Sequence, residues 1–300
     1  MFIDLSSTFA NTDAVGGTSA DTLIESMQIR LLGSGVFRTD AAQVHNFLLP
    51  TFLMVCYRQG SVTLHRGEET TVLEPGTFYL FLPYEIYSGT RSGSAPVEFS
   101  FLQFDISPYL ERIDFCASAA AAGSGVFCGE TYRHLGALLN AAAGEAPGTA
   151  GRAALLRQLT QLTAAQIVHD GSALSGELPA LHAGREALLV ERAFRYTAAH
   201  MAEPIVIRSI VQDTDSSKTS LDRAFRTVLN TTPHQALLRF KLERSMEMLQ
   251  QQMPLRTIAA ALGFSSVYHF SNAFLSVIGM RPTQYRQSGS LAGAWHGEPQ

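Results

Sequence analysis

Residues 255–286 read LRTIAAALGFSSVYHFSNAFLSVIGMRPTQYR, and this stretch predicts the fold of the last part of the chain. Ile258 and Leu262 share one apolar face of a first helix, and the alanines between them let another helix approach closely. Gly263 ends that helix, because glycine readily adopts the left-handed conformation found just after a helix.

The residues after Gly263 predict how a second helix begins. Ser265 or Ser266 caps it by accepting a hydrogen bond from an unpaired backbone N–H. Phe270 and Phe274 are four residues apart and therefore lie on its buried face. A small-residue helix, a glycine turn and a capped helix make up a helix-turn-helix, whose second helix enters the major groove of DNA.

The same pattern occurs earlier in the chain. Residues 207–211 predict a short first helix, and Ser216 or Ser217 caps a second one over residues 218–229. The sequence therefore predicts an internal repeat.

The residues that follow each copy also correspond. Residues 230–234 (NTTPH) match residues 279–283 (GMRPT), and each places a proline near the start of the next helix. Residues 235–250 predict one long helix between the copies. One chain is thus expected to present two recognition helices on a shared rod.

The first half has a different texture, with short apolar runs and turn residues across residues 27–105. The runs lie at 47–57, 61–64, 70–73, 77–82 and 97–105. Gly67 stands where a tight hairpin needs a positive φ. This spacing predicts an antiparallel sandwich or barrel.

Two helices are expected after the strands, over residues 131–143 and 152–169. The second helix places one stripe of side chains at spacings of three and four residues: Leu155, Leu159, Leu162, Gln166 and His169. The stripe packs either on its own domain or on a second copy of the chain.

Charge is divided unevenly along the chain. The formal charge of −4 argues by itself against a general nucleic-acid binder. Residues 1–183 carry 9 Arg and no Lys against 17 acidic residues, a net −8, whereas residues 184–300 carry 11 Arg and 2 Lys against 9 acidic residues, a net +4. We therefore expect only the second half to meet a polyanion.

The remaining composition indicates a cytoplasmic protein. Cys56, Cys116 and Cys128 fit no metal-ligand spacing and indicate reduced thiols. The N-terminus has an acidic residue where a secretory signal has basic ones, and no apolar run is long enough to span a bilayer. We expect no membrane partner.

Residues 184–287 closely resemble the DNA-binding domain of the AraC/XylS-type transcription regulators. The most specific residues of the resemblance are Ala261-Leu262-Gly263-Phe264, Phe270, Phe274, Gly279, Pro282 and Tyr285-Arg286, together with Leu221-Asp-Arg-Ala-Phe225 in the first unit. Residues 47–105 resemble the cupin-like sensory domain of that family through Glu74-Pro-Gly76 and Leu82-Pro-Tyr-Glu-Ile-Tyr87.

The resemblance implies an α+β protein of two domains. We expect a loose arm (1–26), a cupin-like sensory and dimerisation domain built on an antiparallel β-barrel with trailing helices (27–170), a linker (171–183), an all-α domain with two helix-turn-helix units joined by a long helix (184–287), and a disordered tail (288–300). The partners implied are double-stranded DNA, RNA polymerase, a small-molecule effector of unknown identity and a second copy of the chain.

Two departures from the family pattern bear on function. Asp215 replaces the usual turn glycine of the first unit, and Ser216 replaces an apolar residue, so this unit is expected to read bases poorly or to tolerate several sequences. Near Tyr87 the sensory domain lacks the histidine of metal-binding cupins, and His45 alone is no metal site. We therefore expect no metal, no cofactor, no catalytic residue and no enzymatic activity.

The family geometry assigns the DNA contacts to the exposed faces of the two recognition helices. The candidates are Lys218, Thr219, Asp222, Arg223 and Arg226 in the first unit, and Ser266, Val267, Tyr268, His269 and Asn272 in the second. Arg223 either grips guanine or clamps a phosphate, and Asp222 either accepts from cytosine or orients Arg223. Asn272 is suited to paired hydrogen bonds with adenine, and Val267 to contact with a thymine methyl group. His269 is either a DNA contact or a solvated surface residue.

The expected function is sequence-specific transcription regulation, with an effector bound in the barrel. Aromatic residues and one cation suit a small polar or anionic ligand. The candidate pocket residues are His45, Tyr57, Arg58, Tyr79, Tyr84 and Tyr87; each tyrosine is also consistent with an ordinary strand position. The alternatives are a regulator controlled by a protein partner and a cupin-type enzyme.

Overall fold

The computed structural model of the chain describes residues 19–83, 85–123, 125–146, 148–175 and 185–288. The chain is an α+β protein with two parts. The N-terminal half contains antiparallel sheets with packed helices, and the C-terminal half contains helices alone. This agrees with the two-domain fold expected from the sequence.

The N-terminal domain is built on antiparallel strands. They are β1 (Gln28–Thr39), β2 (Gln43–Phe47), β3 (Phe52–Gln59), β4 (Ser61–Arg66), β5 (Glu69–Leu73), β6 (Phe78–Phe81), β7 (Tyr87–Ser92), β8 (Val97–Ser107) and β9 (Val126–Phe127). Gly67 has a φ of 58° in the β4–β5 turn, as its position in a tight hairpin requires.

The strands form two sheets rather than the closed barrel that was expected. One sheet has the order β1-β8-β3-β6-β9 and the other β2-β7-β4-β5. Among the described residues, no strand pairing joins the edges of the two sheets. The chain passes from one sheet to the other at Gly60, where φ is 73° and a Cβ atom would lie 2.5 Å from the Pro96 carbonyl oxygen. The result is a sandwich with an aromatic core between its sheets.

Four described helices belong to this domain. They are α1 (Ser19–Ser26), α2 (Tyr109–Gly123), α3 (Glu130–Gly144) and α4 (Arg152–Ser175). Of these, α2, α3 and α4 pack against the five-stranded sheet. Part of the arm expected to be loose is therefore α1, which buries Leu23 in the core beneath these helices. Helix α2 was not predicted, because its alanine-rich end lacks the apolar spacing of an amphipathic helix.

Helix α4 differs from expectation in length and in its buried face. It continues to Ser175, beyond the predicted start of the linker, and Gly171 lets it approach the backbone of Ser118 closely. The predicted stripe is divided, because Leu159 is buried while Leu155 and Leu162 are 45% and 57% exposed. The linker beyond Ser175 and the tail beyond Ser288 lie outside the described residues.

The C-terminal domain follows the predicted repeat. Its helices are α5 (Arg185–Ala199), α6 (Ile207–Asp213), α7 (Lys218–Leu229), α8 (Pro233–Gln250), α9 (Leu255–Ala261), α10 (Val267–Ile278) and α11 (Pro282–Ser288). Helix α8 begins with a capping box between Thr232 and Gln235, with Pro233 in the first turn. None of the described helices has the length and hydropathy needed to cross a membrane.

Candidate nucleic-acid interface

The turn between α9 and α10 closes as the sequence predicts. Gly263 has a φ of 72°, and its N–H donates to the Ala260 carbonyl while the N–H of Phe264 donates to the Ala259 carbonyl. These two bonds satisfy carbonyls left unpaired at the end of α9. A Cβ on Gly263 would lie 2.4 Å from the carbonyl carbon and oxygen of Glu203, so only glycine fits.

Of the two candidate serines, Ser266 caps α10. Its Oγ accepts from the His269 N–H at 3.1 Å, and Ser265 Oγ lies 2.6 Å from His269 Nδ1. Phe270 and Phe274 are fully buried, as predicted. Capping and apolar spacing together fix which face of α10 points away from the protein.

The exposed face of α10 carries four of its five predicted DNA contacts. Four of these residues are exposed: Ser266, Tyr268, His269 and Asn272. Tyr268 is the most prominent, with 70% of its surface exposed. Val267 is half-buried against the core of the unit. A thymine methyl group therefore has less of this side chain to contact than the sequence suggested.

The turn of the first unit has the same geometry in spite of its departure from the family pattern. Asp215 takes a left-handed φ of 47°, and Ser216 N–H donates to the Val211 carbonyl. The polar Ser216 is accommodated because its hydroxyl bonds Thr214 Oγ1 at 2.9 Å. The first unit thus keeps its turn, at a cost of about 1 kcal/mol for a left-handed residue other than glycine.

Helix α7 presents its predicted contacts on one side. Ser217 caps it by accepting from the Ser220 N–H, and Leu221, Ala224 and Phe225 form its buried face. Lys218, Thr219, Arg223 and Arg226 are exposed and Asp222 is half-buried. Arg223 donates to Glu186 Oε1 of α5 at 3.1 Å, an interaction that the sequence did not reveal.

Lys241 links the two units and was also missed. Its side chain is 2% exposed, and its Nζ donates to the carbonyls of Met201, Glu203 and Leu262. Burial lowers the pKa of this amine. The available signal was a lysine among the apolar residues of the long helix predicted over residues 235–250, but the carbonyls that it binds are distant in sequence.

The predicted effector pocket is reorganised in the structure. Tyr57, Tyr79 and Tyr87 share one core between the sheets, and Tyr79 packs 4.7 Å from the ring of Phe81. Burial raises the pKa of Tyr79 to about 12. Arg58 is on the outer side, 3.5 Å from Glu98. The side chain of His45 and the whole of Tyr84 lie outside the described residues.

A different cation approaches the tyrosines. Arg66 is paired with Glu69, and its Nε lies 3.4 Å from Glu85. Its charge also acts on the hydroxyls of Tyr79 and Tyr87, where it opposes the rise in pKa caused by burial. Among the described residues, no group of three or more His, Cys, Asp or Glu is arranged to hold a metal ion.

Comparisons with known proteins also identify a helix-turn-helix domain in the C-terminal part of the chain. Residues 210–288 match a family described as a helix-turn-helix domain. The chain is 35% identical over 89 residues to the HTH-type transcriptional regulator ArgR of Pseudomonas aeruginosa (29% of this chain, 27% of that protein) and 30% identical over 92 residues to the probable transcriptional regulator LumQ of Photobacterium leiognathi (30% and 37%). These matches span well under two thirds of either relative.

Two further similarities extend over both domains. The uncharacterised HTH-type transcriptional regulator YisR of Bacillus subtilis is 24% identical over 277 residues, which cover 85% of this chain and 92% of that protein. The crystal structure of ToxT from Vibrio cholerae with a bound unsaturated fatty acid superposes with a TM-score of 0.50 at 10% identity, covering 88% of this chain and 96% of that one. The latter similarity concerns the fold alone.

Proposed function

We propose that this chain, whose C-terminal domain is a helix-turn-helix domain of the AraC type, is a transcription regulator that binds double-stranded DNA. The observation that carries the proposal is the pair of capped helices α7 and α10, each with an exposed polar face, held by one rod. One chain then reads two adjacent major-groove segments about one helical turn apart.

The proposed roles of the individual side chains follow from their exposure. Arg223 reads guanine O6 and N7, and Asn272 reads adenine, because both side chains form paired hydrogen bonds with those bases. Lys218 and Arg226 contact phosphates, and Thr219, Ser266, Tyr268 and His269 complete the two faces. Asp222 orients its neighbour Arg223 or accepts from cytosine.

The test is selection of bound DNA by the full chain. We expect fragments recovered from a random-sequence pool to share two short motifs, and footprinting to protect two segments about one turn apart. Recovery of fragments with no common motif, or protection of one segment only, contradicts two-segment reading.

We infer that the protein acts in the cytoplasm as a homodimer, with RNA polymerase as a further partner implied by the family resemblance. Exposed leucines on α3 and α4 support the dimer: Leu138 is 48% exposed, and Leu155 and Leu162 lie two turns apart on α4. Sedimentation tests this, with Leu162→Glu expected to weaken self-association. Leu188→Glu on α5 is the matched control, because Leu188 is 60% exposed but lies in the other domain.

Regulation by a small molecule bound in the N-terminal domain is the first candidate mechanism. An effector would favour one arrangement of the two domains and thereby change DNA binding. Linkage requires that DNA-bound and DNA-free protein then bind the effector with different affinities. Equal affinities for every compound tested would remove the coupling.

Control by a protein partner is the second candidate, and one observation favours it. The space between the sheets is filled by rings, because Phe47, Phe81 and Tyr87 lie within 5.5 Å of one another, centroid to centroid. A ligand there would have to displace packed aromatic side chains. An enzyme built on this domain is the remaining alternative, and the metal content of the purified protein tests it.

A further inference from the structure

The N-terminal domain packs against both helix-turn-helix units. The core of the first unit includes Leu110 of α2, which is 5% exposed. The core of the second unit includes Leu48, which is fully buried and lies in the turn between β2 and β3. One domain therefore touches the two units at separate points.

The contact with the first unit is aromatic. Tyr109 lies at the start of α2. Its ring centroid is 4.5 Å from that of Phe194 in α5 and 5.1 Å from that of Phe240 in α8. Phe194 in turn lies 5.8 Å from Phe225 on the buried face of α7. A continuous row of rings thus runs from α2 to the first recognition helix.

The contact with the second unit lies at the end of its recognition helix. Gly279 caps α10 with a φ of 87°, and a Cβ atom there would lie 3.1 Å from Ile86 Cδ1. Ile86 and Leu48 both pack on the core of this unit. A loop and a turn of the N-terminal domain therefore abut the C-terminal end of α10.

A buried acidic side chain lies at this domain contact. Glu243 of α8 is 5% exposed and accepts from Arg239 Nε at 3.0 Å, while its Oε2 has no hydrogen-bond partner among the described residues. Burial raises the pKa of Glu243, and the side chains of Arg112, Arg239 and Tyr109 oppose that rise. Two of these three groups belong to α2.

Arg112 joins the two contact points on the N-terminal side. It is 8% exposed and lies one turn after Tyr109 in α2. Its Nη2 donates to the Pro50 carbonyl at 2.6 Å, in the same turn that carries Leu48, and its Nε lies 3.6 Å from Asp105. Arg112 thus holds the turn that touches the second unit, while it lies one turn from Tyr109, which packs on the first unit.

This packing leaves the DNA-contacting faces uncovered. Lys218 and Arg223 of α7, and Tyr268 and Asn272 of α10, are exposed with the N-terminal domain in place. The contact therefore leaves both predicted recognition faces accessible.

We propose that Arg112 and Glu243 are positioning residues for DNA recognition, through which the N-terminal domain braces the two helix-turn-helix units and sets the spacing of the two DNA segments they read. The inference rests on the proposed function. It assigns part of the DNA specificity to residues that lie outside both recognition helices and touch no DNA.

The experiment compares two duplexes with the full-length chain. The first is a duplex selected from random-sequence DNA by the wild-type chain, and the second carries about five extra base pairs, half a helical turn, between its two protected segments. The wild type is expected to bind the second duplex at least about tenfold more weakly. Glu243→Gln keeps the shape of the side chain but removes its charge, and we expect it to weaken binding to the first duplex only, so that the ratio of affinities falls.

Two comparisons separate positioning from general damage. Glu247→Gln alters the same residue type one turn along α8, where the carboxylate is 46% exposed and paired with Arg244, and it should keep the wild-type ratio. Arg112→Lys retains the charge and should keep more of the ratio than Arg112→Met. Equal weakening of both duplexes by Glu243→Gln, with an unchanged ratio, overturns the proposal.

A second readout does not depend on DNA. Cys116 lies in α2, four residues after Arg112, and is partly buried. We expect Arg112→Met to speed alkylation of Cys116 by N-ethylmaleimide, mapped by mass spectrometry, because loosening of the domain contact exposes the thiol. Loss of the positive charge alone would slow the reaction, since a nearby cation lowers the pKa of a thiol. The exposed Cys128 should react at an unchanged rate. An unchanged or slower Cys116 rate contradicts the brace. If the wild type selects no specific duplex, the proposed function fails, and the Cys116 rate still decides whether Arg112 holds the domain contact.

Discussion

The Nζ atom of Lys241 lies 3.2 Å from the carbonyl oxygen of Leu262, and it donates a hydrogen bond across the boundary between the two helix-turn-helix units. The same ammonium group donates to the carbonyls of Met201 and Glu203, which precede α6. A lysine has three donors, so every N–H of the buried group is used. Helix α8 is thereby joined to the end of α9 and to the start of the first unit.

Lys241→Met is expected to lower the free energy of unfolding by about 3 kcal/mol, because three backbone carbonyls lose a charged donor. Thermal unfolding measures the effect. The chain has one other lysine, Lys218, which is exposed on α7 and provides the control. Lys218→Met should leave the unfolding temperature almost unchanged while reducing the salt dependence of DNA binding by about one phosphate contact. Equal loss of stability in both variants speaks against the role given to Lys241.

Gly263→Ala tests the close approach of the two units. The added Cβ meets the Glu203 carbonyl in a left-handed conformation, and we expect a loss of about 2–5 kcal/mol of unfolding free energy. Gly67→Ala is the comparison, since Gly67 is also left-handed but has no atom within 4 Å of the added Cβ. It should lose only about 1–2 kcal/mol. Denaturant unfolding of the two variants gives the difference, and similar losses would mean that the Glu203 contact is unimportant.

Arg223→Ala is expected to weaken specific DNA binding by about 1–3 kcal/mol and to relax sequence preference at one base pair. A titration against duplexes that vary at each position measures both effects. Uniform weakening over all sequences would instead identify a phosphate contact.

Because Glu186 Oε1 lies 3.1 Å from the guanidinium of Arg223, Glu186→Gln should strengthen DNA binding modestly at low salt. Arg244→Ala serves as the control, since Arg244 lies on α8, outside both predicted recognition helices, and is paired with Glu247.

Asp170 ties α4 to α3 and makes stability depend on pH. Burial raises the pKa of Asp170, but hydrogen bonds from Tyr132, His169 and Gln166 outweigh it and lower the pKa below its ordinary value of 3.8. A carboxyl with a depressed pKa stabilises the folded state above its unfolded pKa, and this contribution is lost as the pH falls through the folded pKa.

Asp170→Asn should therefore lower the unfolding temperature at neutral pH and approach the wild type as the pH falls below 3.8. Melting curves recorded across that range check the prediction. Asp40→Asn is the matched control, because the Asp40 side chain is 82% exposed and its ion pair with Arg91 is 3.9 Å long. A difference between Asp170→Asn and wild type that stays constant with pH would falsify the assignment.

The helix-turn-helix units were predictable because their signals are local. Capping by one of two neighbouring serines in each unit, the left-handed Gly263, and the four-residue spacing of Phe270 and Phe274 each involve neighbours within one turn of helix. The structure confirms these features and selects Ser217 and Ser266 as the caps. It also resolves what the sequence left open at Asp215, which takes the turn conformation that glycine usually takes.

The N-terminal domain was less predictable, since its features depend on pairing between distant strands. The alternation of apolar residues predicted antiparallel sheets but not whether their edges meet, and they form a sandwich. The pocket cation was assigned to Arg58, yet β3 turns that side chain outward and the β4 residue Arg66 approaches the tyrosines. Helix α2 was missed, and with it the contact between the domains.

The amino-acid sequence was sufficient to predict helices α7 and α10, the capping of each by a serine and most of the side chains that they expose, because these follow from the helical repeat and from backbone conformations available to each residue. How the two units are held relative to each other depends instead on tertiary packing. Lys241 donates to its carbonyls, and Tyr109 packs on Phe194 and Phe240, across segments far apart in the chain. No local pattern encodes such meetings, because they arise only when separately formed helices pack together.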